Sequence, residues 1–188
     1  LTVSSFRNSF FNITEIEYHK KSIVSVRAGN VIGGGDYSEN RIIPDVINAL
    51  IKNEQIVLRS PNSIRPWQHV LEPTFAYLKL GLYLDSNPNK FSRPFNIGPK
   101  TDDHLTVEEL VKKVISIWGS GTYVHSIDAK LHEAEVLKLD ISMAENILNW
   151  IPIYNSSEAI EKTITWYKKE DKIAITNKQI EEYISEIS

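Results

Sequence analysis

The sequence contains no cysteine. A disulfide framework and a thiolate metal site are therefore excluded. None of the five histidines falls in a His-Glu-x-x-His pattern or another recognisable zinc spacing, so no metal centre is expected. Glycine is sparse as well: the eight present never form the spaced G-x-G-x-x-G run that cradles a dinucleotide pyrophosphate. Positive charge is not in excess. The 21 Lys and Arg against 24 Asp and Glu leave a net charge of -3, which argues against a nucleic-acid partner. No apolar run approaches the length of a membrane span, and no basic segment leading into an apolar stretch opens the chain. A cytoplasmic protein without a membrane partner is expected.

What is present is the balance of a soluble globular protein, 41% apolar and 24% charged. The 188 residues suffice for one domain and part of another. Residues 1–11 space Val3, Phe6 and Phe10 helically and begin without a cap, as the end of a helix already under way. Residues 15–21 are charged and read as surface loop, leading to a strand over residues 23–28. From Asn40, the set Ile42, Ile43, Val46, Ile47, Leu50 and Ile51 predicts an inward-packing helix that tolerates Pro44 in its first turn. Residues 55–58 and 65–71 predict short strands, the second broken at Pro66. Glu72-Pro73 then opens a helix to about Leu84, and residues 95–98 form a strand closing into a turn. Three capping boxes, Thr106 with Glu109, Ser142 with Glu145 and Asn155 with Glu158, predict three helix starts. Residues 123–127 read as strand, 137–140 as a short extended piece, and 171–188 as an added helix or a partly frayed one. Trp118, Trp150 and Trp166 follow helix stripes and read as core.

The run from Val24 to Asp36 reads as a buried strand ending in Asn30 and spilling into Gly33-Gly-Gly35. Ligands of open α/β folds sit beyond the carboxyl ends of strands, where a carboxamide and Cβ-free backbone permit close approach. A flexible turn capped by Asn30 explains the same residues equally well. Arg65-Pro66-Trp67 places a planar guanidinium, suited to phosphate oxygens, beside a flat apolar wall, although taken alone the run reads rather as a surface arginine packed on a tryptophan. With Arg41 and Arg59 near the ends of neighbouring elements, it suggests one anionic pocket. His132 and Glu133 offer either a ribose contact or a solvated loop. His69 and Glu72 are either an acid and base pair or core and helix-start residues.

Together Arg27-Ala-Gly-Asn-Val-Ile-Gly-Gly-Gly-Asp36, Asn40-Arg-Ile-Ile-Pro-Asp45, Ile64-Arg-Pro-Trp-Gln-His-Val-Leu-Glu-Pro73, Phe95-Asn-Ile-Gly98 and His132-Glu-Ala134 followed by Leu137-Lys-Leu-Asp140 resemble the CDP-glucose 4,6-dehydratase family of extended short-chain dehydrogenases/reductases. The resemblance runs from Ser4 to Tyr167 and implies the carboxyl-terminal portion of such an enzyme. The implied fold is α/β: the end of a doubly wound, Rossmann-like NAD-binding domain (residues 1–36 and 72–98), a smaller α/β substrate domain (37–71 and 99–170), and a helical extension (171–188). It implies substrate contacts from Asn30, Arg41, Ile42, Val57, Arg59, Arg65, Glu133 and His132, with Ala28, Gly29 and Asn30 beside the NAD.

The family's lyase reaction moves the C4 hydride of CDP-glucose to NAD, eliminates water across C5 and C6, and returns the hydride to C6. The product, CDP-4-keto-6-deoxyglucose, is a precursor of dideoxy sugars in lipopolysaccharide O-antigen. Relatives act as homodimers. This chain departs from the family in having no Tyr-x-x-x-Lys pair: no tyrosine has a lysine four positions on. That pair supplies the general base, so no catalytic residue is assigned and the chain alone is expected to be inactive. A stand-alone nucleotide-sugar binding module, or part of an epimerase or dehydratase for another base, is the alternative.

Overall fold

A computed structural model describes residues 2–126 and 135–187. Helix α1 (Thr2–Phe10) leads through a 3-10 turn (Ile13–Glu15) and the single-turn α2 (Ile16–His19) into strands β1 (Ser25–Ala28) and β2 (Asn30–Ile32). Helix α3 (Ile42–Lys52) and strand β3 (Ile56–Leu58) precede β4 (Ile64–Arg65) and β5 (Trp67–His69), which flank Pro66. Then come α4 (Leu71–Ser86), α5 (Pro88–Phe91), β6 (Pro94–Ile97), β7 (Leu105–Thr106), α6 (Val107–Trp118) and β8 (Tyr123–His125). Helices α7 (Ser142–Leu148), α8 (Ser156–Lys168) and α9 (Lys172–Ile187) complete the described chain. No helix among the described residues is long and apolar enough to cross a membrane.

Local chemistry explains most of these boundaries. α3 buries Ile43, Val46, Ile47 and Leu50 on one stripe and stops where Asn53 turns left-handed, at φ 55°. The Thr106–Glu109 and Asn155–Glu158 boxes both form, each side chain bonding the other residue's backbone. The Ser142–Glu145 box does not. Asp140 lies two residues earlier, and its carboxylate accepts the Ser142 amide at 2.9 Å, so the helix start is covered from outside. Residues 15–21 are also not simply loop: apolar Ile13 and Ile16 nucleate two short helical turns there, and Asn12 caps the first. Residues 137–140 form no strand; just before them Val136 makes an isolated parallel bridge to Ile64 of β4. Residues 171–188, left open between helix and fraying, are helical over Lys172–Ile187, with Gln179 and Tyr183 buried.

The strands pair as β1 with β6, β2 with β5 and β3 with β8, all parallel, and β4 with β7 antiparallel. Between β1 and β2 the chain changes partner within one residue. The Gly29 amide donates to Ile97 O and the Asn30 amide to Pro66 O, each at 2.9 Å. The two neighbouring strands therefore diverge at Gly29, and only glycine fits the fork: a Cβ there lies 2.6 Å from Pro66 O. Buried Gln68 crosses the split, its side-chain amide donating to Ile97 O at 2.9 Å. One apolar cluster gathers α3, β3, α6 and α8 around Ile47, Leu58, Leu110 and Ile160. A second gathers β6, α4 and α7 around Phe95, Leu80 and Leu148, with Trp150.

Candidate functional site

Beyond the fork opens a cavity of about 800 Å³, within the range of small-molecule sites. Open α/β folds place ligands outside the carboxyl ends of their strands, and the cavity lies beyond the end of β1. Its wall contains Gly29, Asn30, Arg41, Ile42, Val57, Arg59 and Arg65, so seven of the residues singled out from sequence converge on one space. Ala28 does not line it; it sits in β1 opposite Ile97. His132 and Glu133 lie outside the described residues.

Each wall residue is placed by the element that carries it. Strand alternation buries Ile56 and Leu58 and turns Val57 out, leaving an exposed apolar side chain at the mouth. Arg59 follows β3 and donates to Asn40 Oδ1 at 3.3 Å. Asn40 itself is left-handed, at φ 62°, a geometry that Asn tolerates better than most residues. Arg41 leads into α3 and pairs with Asp36 at 3.0 Å. The Ser38 amide, donating to Asp36, holds that carboxyl below the usual carboxylate range, and Arg41 pulls the same way. Arg65 is buried in β4, with Nη1 donating to Ile64 O at 2.9 Å.

Three arginines and the two aspartates Asp36 and Asp45 thus line one cavity. The Arg41–Asp36 pair is solvent-exposed and worth about 0–1 kcal/mol. Asp36 engages Arg41 through Nη1, one corner of a guanidinium with five N–H donors, so an incoming anion can be met by the other donors while the pair persists. Asp36 and Asn40, which anchor two of the arginines, stand in the motifs quoted from the sequence, but residue type alone gave them no role. Trp67, expected as a flat apolar wall, does line the cavity while staying buried, and its indole donates to Leu105 O at 3.3 Å.

His69 and Glu72 lie outside the cavity wall. Glu72 is fully buried and accepts from the Ile153 and Tyr154 amides at 2.9 and 2.7 Å and from the Tyr183 hydroxyl at 2.9 Å. It ties α4 to α9 and to the turn before α8. Burial raises its pKa to about 7 despite those donors. His69 packs edge-on to Tyr154, and burial lowers its pKa to about 4.

No protein-family model matches the chain. Its sequence is 41% identical over 190 residues to CDP-glucose 4,6-dehydratase of Salmonella typhimurium, covering 98% of this chain and 53% of that protein. It is 27% identical over 169 residues to UDP-glucuronic acid decarboxylase 1 of Xenopus tropicalis, covering 87% of this chain and 38% of that one. The chain spans about half the length of the first relative and less of the second. Among solved structures it resembles dTDP-glucose 4,6-dehydratase of Bacillus anthracis in complex with NAD, with TM-score 0.63 and 20% identity over 86% of this chain and 49% of that one. It also resembles UDP-glucuronic acid 4-epimerase of Bacillus cereus in complex with UDP-glucuronic acid and NAD, with TM-score 0.67 and 17% identity over 83% of this chain and 48% of that one. The chain therefore shares the fold of the nucleotide-sugar dehydratases and epimerases it resembles, and its sequence match to CDP-glucose 4,6-dehydratase covers about half of that protein.

Proposed function

We propose that this chain is the substrate-binding part of an NAD-dependent nucleotide-sugar 4,6-dehydratase, a lyase that converts CDP-glucose to CDP-4-keto-6-deoxyglucose. The observation that carries this reading is the convergence of Asn30, Arg41, Val57, Arg59 and Arg65 on one cavity at the strand fork. In it, Arg65 and Arg41 meet the diphosphate, Val57 and Arg59 flank the base and ribose, and Ile42 packs beside the nucleotide. Asn30, at the mouth of the fork, orients the sugar. His132 and Glu133 add ribose or base contacts. Residues 1–36 and 72–98 belong to the NAD-binding domain and 37–71 and 99–170 to the substrate domain, with α9 as an extension. The packing crosses that division at two places: Ile141 to Trp150 join the cluster around Phe95, and Ile32 joins the cluster around Ile47.

NAD supplies the reversible hydride acceptance in this reaction. The described residues do not fit the cofactor on their own. The chain has no spaced glycine fingerprint, Gly29 is accounted for by the approach of Pro66, and Ala28 lies off the cavity wall. This chain's share is one wall, from Gly29 and Asn30. The catalytic base and the pyrophosphate cradle belong to the rest of a longer homodimeric protein.

Calorimetric titration of the 188-residue chain with CDP-glucose tests the binding role. CDP-glucose is expected to bind without NAD and to outcompete UDP-, dTDP- and GDP-glucose, and Arg59→Ala is expected to weaken it about 10- to 150-fold, a charged hydrogen-bond contact being worth about 1.5–3 kcal/mol. No heat with any of the four overturns the reading. Tighter binding of another base reassigns the substrate. Turnover by the 188-residue chain alone refutes the division of labour with the missing part.

A further inference from the structure

The loop carrying Gly33, Gly34 and Gly35 joins the fork to Arg41, and its far side packs against the end of α8. A Cβ on Gly34 lies 2.0 Å from the Trp166 ring, so backbone and indole are in direct contact. Gly35 is left-handed at φ 85° and lies against the same ring. One residue further along α8, the Tyr167 hydroxyl donates to Asp36 O, and its ring meets Tyr37 edge-on at 5.9 Å. Burial pushes the Tyr167 phenol up to about 12, so it remains a donor throughout the working range. Asp36 in turn holds Arg41. None of the residues from α8 and α9 lines the cavity.

Helix α9 fixes the indole from behind. Trp166 Nε1 donates to Thr176 Oγ1 at 2.8 Å. Lys172 Nζ sits 4.6 Å above the Trp166 ring and donates to the Trp166 and Tyr167 carbonyls, each at 2.9 Å. An ammonium over an indole face is an attractive contact, and here the same group also satisfies two carbonyls at the end of α8. The order of contact is α9, Trp166 and Tyr167, the glycine loop, Asp36, Arg41, cavity.

We infer that Trp166 and Tyr167, braced by α9, are positioning residues that fix the glycine loop and so aim Arg41 at the nucleotide diphosphate. The inference rests on the nucleotide-sugar reading for its ligand, but not for the clamp itself. It gives residues 171–188 a part in binding although they lie away from the cavity. The three glycines then have physical causes: Gly33 meets the Val70 side chain, 2.7 Å from where a Cβ would lie, Gly34 admits the indole and Gly35 takes the turn.

The test combines two readouts on the 188-residue chain. Hydrogen exchange of the amides of residues 33–41, measured without ligand, reads the clamp. Tyr167→Phe, which keeps the ring, is expected to speed exchange there, and Thr176→Val, which acts only from α9, to do so in the same direction. Unchanged exchange in both variants overturns the clamp. Calorimetry with CDP-glucose reads the action through Arg41. Tyr167→Phe is expected to weaken binding about 2- to 10-fold, the range of one net hydrogen bond, and to have no further effect in an Arg41→Ala background. Equal weakening in both backgrounds shows that Tyr167 does not act through Arg41 and overturns the positioning role. If the unaltered chain fails to bind CDP-glucose, the nucleotide-sugar reading falls, and the exchange measurement decides the clamp by itself.

Discussion

Glycines in this chain have opposite physical meanings, and single substitutions separate them. Gly29 sits at the fork with Pro66 O and the Gln68 amide closing on its Cα, whereas Gly81 lies on the exposed side of α4 with nothing within 4 Å of a Cβ. Gly29→Ala forces the strands apart and is expected to lower stability by about 1–3 kcal/mol, as overpacking does. Gly81→Ala removes backbone freedom from the unfolded chain without a clash and is expected to raise stability by about 0.5–1 kcal/mol. Urea unfolding of the two variants checks both signs; a Gly29→Ala protein as stable as the parent would show that the fork tolerates a side chain. The arginines divide the same way. Arg41 and Arg59 are exposed and their replacement is expected to change affinity, while Arg65 is buried and its replacement disturbs packing as well.

At the scale of elements, the joint between α4, α9 and the turn before α8 holds two buried titratable groups whose pH effects oppose each other. Glu72 rises from 4.5 to about 7 because burial disfavours its charge, with the Glu186 carboxylate adding to the effect. A raised carboxyl contributes stability that is complete below pH 4.5 and is lost as pH climbs through 7. His69 falls from 6.5 to about 4 through burial and the nearby Lys162 charge, so its contribution is complete above pH 6.5 and is lost as pH falls through 4. Each amounts to roughly 3 kcal/mol over its window. Their slopes cancel between pH 4.5 and 6.5, where the profile is expected to be flat. Glu72→Gln keeps an oxygen for the two amides and leaves only the histidine, so stability should then climb from pH 4 to 6.5; denaturant titrations giving parallel profiles for variant and parent would refute the assignment. The origins of this joint also show what the sequence reveals. The Thr106 and Asn155 boxes and the α3 stripe were readable because their partners lie within four residues. The Ser142 box was misread because Asp140 competes for the same amide. Glu72 lies 111 residues from Tyr183, and Tyr167 lies 131 from Asp36, so neither bond has a local signature. Asn30, Arg41, Val57, Arg59 and Arg65 could be picked out by residue type and motif, but that they share one cavity follows from the change of partner at Gly29, which no local pattern encodes.

For the whole molecule, the decisive balance is between a net charge of -3 and the apolar surface it must keep in solution. Leu78 and Leu82 on α4 are 66% and 73% exposed, and Phe10 on α1 is 66% exposed. Parallel strands normally have both faces covered by helices and neighbours on both edges. Here β1 pairs only with β6 among the described residues, and α4 is apolar on its outer side as well as its inner one. A chain spanning 53% of its relative's length would leave such surfaces for the remainder to cover. Apolar patches of this kind drive association when nothing covers them, and a charge of only -3 opposes it weakly. The isolated chain is therefore expected to self-associate with rising concentration in sedimentation velocity. Replacing Leu78 with Glu and Leu82 with Lys leaves the net charge unchanged, so any gain in dispersion comes from lost apolar area and not from added repulsion. The double variant should remain monomeric where the parent associates, with the cavity unaltered, because neither leucine lines it. A parent that sediments as a monomer across the same concentrations would show that these faces are too dispersed to act as a patch.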